Sequence, residues 1–342
     1  MADWPRNSQY FIPVMVTEIH GMGKGLLASK DFKKGEVLFK EAAAIVVHAP
    51  SGMIPLQDLK EQVSKMSEEQ KTRFYQLAPK GNFRKVQLAA AFRENCLQEL
   101  DIFFSNSHKS LRSFEDKRAL FLSPSLINHS CVPNVMLEGD MDSVHMNQIK
   151  VRAIKDISKG EEVTECYTGG FLTRSKMKTT LQEKFSFDCE CGVCTGFIPN
   201  QDRLILEISS IMSIALSQTL DQLYQKKKKE WMTEASQLER AAELSKHLYI
   251  GRSDFRIRVL AVFVTATQMA SDPIRLKKAW DLLKEEISSL GLMESHAGKV
   301  YKDQETKLER WSLEFQSKRN PRKEEINECY GPHLLSVSVL AI

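Results

Sequence analysis

The sequence has few of the features that mark special protein classes. No uncharged apolar stretch reaches the ~18–20 residues needed to cross a bilayer, and the start lacks the basic-then-apolar order of a secretory signal. We therefore expect no membrane segment and a nuclear and/or cytoplasmic location. The chain also has no large excess of charge of either sign, since it contains 48 basic and 44 acidic residues. This balance predicts no direct nucleic-acid binding.

Cysteine is sparse, and its number is odd. The 342 residues include seven cysteines. In a chain without a secretory signal, an odd count favours a metal site or free thiols over a disulfide framework. The remaining composition, 42% hydrophobic and 27% charged, is typical of a folded protein of roughly two domains.

The hydrophobic pattern changes along the chain and predicts an α+β protein. Strand patterns occupy residues 1–48 and 119–184, with a polar helical insert at 49–118 between them. A short cysteine-bearing segment follows at 185–199. Residues 200–342 show only helical spacing, which predicts an all-α C-terminal domain.

A six-residue motif occurs twice in the strand-rich regions. Asp31–Glu36 reads DFKKGE, and Asp156–Glu161 reads DISKGE. Each copy places a Lys-Gly turn before an apolar run, which is a hairpin-type signal. The two copies predict two similar strand entries.

Three stretches could carry chemistry besides the cysteines. The glycine-rich turn Gly21–Leu26 lets the backbone approach a ligand, and its lysine could meet a carboxylate. The stretch Asn128–Asn134 has two asparagines, a histidine and a cysteine, although turn-forming asparagines and a core histidine are the simpler interpretation. The stretch Gly160–Tyr167 ends in a tyrosine, which alone would indicate core packing.

The cysteine cluster Cys189, Cys191 and Cys194 can supply three thiolates to one ion. A closed structural zinc site needs four ligands in a tetrahedron. The fourth ligand must therefore come from elsewhere in the chain. The other thiols are Cys96, Cys131, Cys166 and Cys329.

Together and in this order, these stretches resemble the SET-domain protein lysine methyltransferases. The resemblance covers residues 10–196 with a gap, and it is closest to the SET-and-MYND branch. One departure is clear: the first 95 residues contain no cysteine, so the MYND zinc finger is not expected. The resemblance implies a mostly-β SET domain with a pseudoknot and a helical insert, followed by a post-SET zinc segment and a helical C-terminal domain.

The resemblance also implies a reaction and its site. The cofactor would be S-adenosyl-L-methionine, and the substrate a lysine of a histone tail or another exposed protein lysine, inserted in a narrow channel. Tyr167 would be the catalytic residue that orients the amine and the methyl group. The implied cofactor-binding residues are Gly23, Lys24, Gly25, Asn95, Asn128, His129 and Phe187.

Two further groups follow from the same resemblance. Phe185 would line the substrate channel with Tyr167, and we expect Phe185 and Phe187 to point the same way on an extended segment. Cys131 would complete a structural Zn²⁺ site with Cys189, Cys191 and Cys194. We expect a monomer with a protein substrate as its partner.

Two alternatives stay open on sequence alone. The first is a catalytically silent SET module that acts as a protein-interaction scaffold. The intact Tyr167, Asn128 and His129 argue against it, because a silent copy has no physical need for all three. The second is an enzyme that modifies another nucleophile, such as histidine.

Overall fold

The computed structural model separates the chain into two compact units. The described residues are 13–48, 56–77, 117–139, 148–168, 172–218, 222, 225–249, 254–293, 298 and 301–302. The first unit comprises residues 1–169 and 174–198, and the second comprises 170–173 and 199–342. Within the described part of the chain, no helix is long and apolar enough to span a membrane.

Short strands dominate the first unit. They are β1 (Val14–Ile19), β2 (Gly23–Ala28), β3 (Val37–Ala42), β4 (Ile45–His48), β5 (Lys117–Leu120), β6 (Asn128–His129), β7 (Val135–Gly139), β8 (Gln148–Ala153) and β9 (Glu162–Glu165). They form three small sheets with the orders β1-β2-β9-β6, β3-β8-β7 and β4-β5. Only β6 and β9, among these described strands, pair in parallel.

The helices divide between the two units. The first unit contains α1 (Leu56–Ser64), α2 (Glu68–Tyr75) and α3 (Arg174–Phe185), and the second contains α4 (Gln201–Leu216), α5 (Lys228–Ser245), α6 (Asp254–Met269) and α7 (Pro273–Ser289). In the second unit each helix packs on the next, so α6 contacts both α5 and α7. This position explains why α6 is apolar on nearly every side.

The two copies of the repeated motif pair with each other. Phe32 and Ile157, both buried, exchange two backbone hydrogen bonds of 2.8 and 2.9 Å. The Asp31 carboxylate accepts from the Lys159 backbone N–H at 2.7 Å, and the Asp156 carboxylate accepts from the Lys34 N–H at 2.9 Å. The duplicated sequence therefore produces a reciprocal clasp, which fixes the loops before β3 and β9.

Helix α2 is anchored to the strands by one buried arginine. Ser67 begins the helix with a capping box, in which its hydroxyl accepts from the Gln70 N–H. Arg73 donates to the Ser123 hydroxyl at 2.6 Å and lies 3.8 Å from the Glu41 carboxylate. Burial raises the pKa of Glu41. The described part of the insert is thus tied to the strand-rich core.

A second buried ion pair joins β7 to β8. Arg152 donates to the Glu138 carboxylate through Nε and Nη2, and its Nη1 donates to the Gly35 carbonyl. Both charged residues are less than a tenth exposed. An ion pair at this depth matters chiefly because removing either residue leaves the other charge buried without a partner, which strongly destabilises the fold.

We predict that Arg152→Met lowers the free energy of unfolding by about 3–5 kcal/mol, because it leaves the Glu138 carboxylate buried without its partner. Urea denaturation monitored by circular dichroism measures the loss. Lys33→Met is the matched control, since its ion pair with Asp156 is largely exposed and should contribute little. Equal effects of the two substitutions would contradict this account of the core.

Candidate active site and metal centre

The parallel pairing of β6 with β9 assembles the centre of the site. Asn128 lies opposite Thr164, and His129 lies opposite Glu165. The Ser130 N–H extends the pairing by donating to the Glu165 carbonyl at 2.9 Å. Because β6 carries the asparagine and histidine and β9 runs directly into Tyr167, the sheet places side chains distant in sequence beside one another.

Asn134 fixes this pairing from the side. Its Nδ2 donates to the Glu162 carbonyl at 2.8 Å, and its Oδ1 accepts from the Thr164 N–H at 2.8 Å. The side chain thus substitutes for a neighbouring strand. Sequence reasoning treated Asn134 as a turn former and missed this role, since the partners lie about thirty residues away.

Tyr167 is held at both its backbone and its hydroxyl. The backbone N–H donates to His129 Nδ1 at 3.0 Å, and the hydroxyl donates to the Ile127 carbonyl at 2.7 Å. Burial raises the pKa of the phenol well above its usual range, and the nearby carboxylates of Glu165 and Glu162 add to the effect. Tyr167 is therefore a neutral phenol at physiological pH, suited to orienting a group and not to removing a proton.

Two phenylalanines contact the Tyr167 ring. The ring centroids of Tyr167 and Phe185 are 5.0 Å apart, and those of Tyr167 and Phe187 are 6.4 Å apart. The expectation of an extended segment was wrong for Phe185, which is the last residue of α3. Ser186, between the two phenylalanines, adopts a left-handed φ of 58°, and both rings lie beside the tyrosine.

The glycine-rich start of β2 packs closely on the same strands at Gly25. A Cβ at Gly25 would lie 2.6 Å from Ile19 Cγ1 and 2.7 Å from Asn128 Nδ2, so a larger residue would force these side chains to shift. The Asn128 amide in turn donates to Glu162 at 2.9 Å. Gly23 takes a φ of 75°, a value that favours glycine.

The remaining predicted cofactor residues lie at the edges of this cluster or beyond the described structure. Lys24 is half-buried, and its ammonium donates to the side-chain oxygen of Gln76, just past α2, at 3.4 Å. Asn95 lies outside the described residues. Its predicted role stays a prediction.

Four thiols meet on the side of the His129 ring that faces away from Tyr167. The sulfurs of Cys131, Cys189, Cys191 and Cys194 all lie within 4.8 Å of one another. The Cys131 sulfur is 3.8 Å from that of Cys189 and 3.5 Å from that of Cys194. Cys166 takes no part, since its thiol contacts the Thr168 carbonyl at 3.1 Å. Cys96 and Cys329 lie outside the described residues.

The thiol cluster has the chemistry of a structural zinc site. A tetrahedron with Zn–S bonds of ~2.3 Å places its sulfurs ~3.8 Å apart, close to the shorter spacings here. Soft thiolates select zinc or iron over magnesium or calcium. The prediction that Cys131 supplies the fourth ligand is therefore consistent with the structure, and the four residues could hold Zn²⁺.

Comparison with known proteins shows what part of the strand-rich unit is similar to. Residues 23–168 match the SET domain. The chain is 26% identical over 196 residues to histone-lysine N-methyltransferase set5 of Schizosaccharomyces pombe and 28% identical over 174 residues to histone-lysine N-methyltransferase SMYD3 of Homo sapiens. It is 35% identical over 145 residues to histone-lysine N-methyltransferase ASHR1 of Arabidopsis thaliana.

Residues 23–168 are thus similar to a SET domain, and the relatives they match include a member of the SET-and-MYND branch. The three alignments cover 57%, 47% and 40% of this chain, and 53%, 38% and 28% of the respective relatives. The chain thus matches about half of the longest-aligned relative and less of the others. Among solved structures, the SET domain of LSMT bound to lysine and AdoHcy aligns over 94% of this chain at 13% identity, with a TM-score of only 0.37.

We predict that Gly25→Ala destabilises the first unit by about 1–3 kcal/mol, because the added methyl group forces the Asn128 amide and Ile19 apart. Urea denaturation measures the change. Gly192→Ala is the matched control, since its Cβ would meet no atom closer than 3.5 Å. A stable Gly25→Ala protein would show that the start of β2 is loosely packed.

We predict that purified protein carries one zinc ion and that Cys191→Ser weakens its retention. A hydroxyl is a poor substitute for a soft thiolate, and a structural zinc site contributes folding energy to the segment it closes. Atomic emission measures the bound metal, and limited proteolysis should show faster cleavage within residues 186–198 after chelation. The control is Cys166→Ser, outside the cluster. Equal zinc content in both variants would contradict the assignment.

Proposed function

We propose that this chain is an S-adenosylmethionine-dependent protein-lysine N-methyltransferase. The observation that carries the proposal is the fixed, neutral phenol of Tyr167, which is surrounded by aromatic rings and lies directly beside the Asn128–His129 strand. The SET domain at residues 23–168 and relatives named as lysine methyltransferases support the same activity.

The cofactor would bind at the glycine-rich start of β2. Gly25 lies beside the Asn128 amide, which a Cβ at Gly25 would approach to 2.7 Å, and Lys24 offers a cation that can meet the carboxylate of the cofactor's methionine part. When bound, S-adenosylmethionine supplies an electrophilic methyl group on a sulfonium. The protein needs to contribute alignment, because the transfer requires the reacting atoms in line and within near-attack distance.

Tyr167, Phe185 and Phe187 would form the wall against which the substrate amine is aligned. A lysine must lose its proton before it can attack, which costs about 4 kcal/mol for a pKa of ~10.4 at pH ~7.5. An aromatic wall excludes water and lowers that pKa by disfavouring the charge. The neutral phenol can then orient the free amine without itself changing its charge.

We propose a histone tail or another exposed protein lysine as the substrate, with the chain acting as a monomer in the nucleus and/or cytoplasm. The named activities of the relatives support this substrate class. The near-neutral net charge implies that any capture of a basic tail is local to the site.

We predict that Tyr167→Phe lowers methyl transfer by roughly a hundredfold, the scale of a lost alignment of the reacting groups. The ring packing is preserved, and only the hydroxyl held by Ile127 is lost. Incubating the protein with radiolabelled S-adenosylmethionine and cell extract measures the transfer, and mass spectrometry of the labelled residue separates lysine from histidine. The control is Tyr249→Phe, an exposed tyrosine of the helical unit. Full labelling by Tyr167→Phe would remove the proposed role.

A thermal-shift measurement separates the enzyme from a silent scaffold. A ligand at a hundred times its Kd stabilises a protein by about 2.7 kcal/mol. We expect S-adenosylmethionine to raise the melting temperature of wild type and Tyr167→Phe alike. Absence of any shift in the wild type would favour the scaffold.

A further inference from the structure

We propose that His129 is a positioning residue that couples the thiol cluster to Tyr167. The cluster and the tyrosine lie on opposite sides of its ring. Nδ1 is 3.0 Å from the Tyr167 backbone nitrogen, and Nε2 is 3.3 Å from the Cys131 sulfur. Its consequence for catalysis rests on the proposed function, whereas its structural part does not.

The two contacts determine which nitrogen of the His129 ring carries the proton. A backbone N–H can only donate, so Nδ1 accepts from Tyr167 and bears no proton. The N–H of the ring then lies at Nε2, which donates toward the Cys131 sulfur. Both ring nitrogens are thereby used within the protein. Any contact of His129 with a cofactor falls to its backbone or to the face of its ring.

Each hydrogen bond has a separate effect. The one to Cys131 stabilises a thiolate, and such outer contacts typically change metal affinity 10–100-fold. The one to Tyr167 fixes the backbone of the residue whose hydroxyl is fixed by Ile127. His129 is only 6% exposed, so water cannot readily replace either partner. A displacement of Cys131 would therefore also displace Tyr167, because the rigid ring of His129 connects the two residues.

Two substitutions separate the two bonds. In His129→Asn the amide oxygen can take the place of Nδ1, so an acceptor for Tyr167 remains but the donor to Cys131 is lost. In His129→Gln the amide nitrogen can take the place of Nε2, so the donor remains but the acceptor is lost. The control is His247→Asn, an exposed histidine of the helical unit.

The measurements use the full chain without cofactor: zinc affinity by competition with a chelator, and hydrogen exchange of the Tyr167 amide. We expect His129→Asn to lower zinc affinity about 10–100-fold and to leave the exchange rate near that of wild type. We expect His129→Gln to retain zinc affinity and to speed the exchange by roughly tenfold, the loss of one buried hydrogen bond. If both variants match wild type, or if they change both quantities alike, the proposal is wrong.

A third measurement tests the proposal on the wild type, in case the His129 variants do not fold. Stripping zinc from the wild type should speed exchange at the Tyr167 amide and leave that of Val259, in the core of α6, unchanged. An unchanged Tyr167 amide would overturn the coupling. Because no readout uses methyl transfer, an inactive enzyme with the expected exchange pattern would contradict the proposed function and not this inference.

Discussion

The site depends on bringing four thiols from two distant segments to a single point. Cys131 precedes Cys189 by 58 residues, yet their sulfurs lie 3.8 Å apart. Four clustered thiols repel one another once ionised, so a cation that neutralises them is what makes the arrangement favourable. That cation would hold the segment bearing Phe187 against the strand bearing His129. The ring centroids of these two residues are 5.9 Å apart. Metal binding would thus complete the aromatic wall beside Tyr167.

The strand pairing supplies the other half of the constraint. Residues 128 and 129 lie parallel to 164 and 165, and Asn134 fixes the register through hydrogen bonds to residues 162 and 164 of β9. Tyr167 follows two residues later, with its hydroxyl on the Ile127 carbonyl and its backbone on the His129 ring. The position of the phenol consequently depends on the strand register, on the hydrogen bonds of the Asn134 side chain and on the metal site.

Some of this could be predicted from sequence and some could not. The spacing of Cys189, Cys191 and Cys194 predicted a metal site that lacked one ligand, whereas the choice of Cys131 as that ligand followed from the resemblance to SET domains. The repeated DFKKGE and DISKGE motifs predicted two strand entries, but their reciprocal clasp depends on contacts more than 120 residues apart, which local patterns do not carry. The helical end at Phe185 and the left-handed Ser186 were missed because serine gives no local signal for that conformation. The catalytic role of Tyr167 stays a prediction.

The most direct test of this account is X-ray absorption at the zinc edge of the purified full chain. The account predicts four sulfur neighbours at about 2.3 Å and no nitrogen or oxygen ligand. Such a spectrum is the one expected if Cys131, Cys189, Cys191 and Cys194 share a single ion. A coordination shell with fewer sulfurs, or one that contains imidazole or water, would contradict the closure of the site by these four thiols.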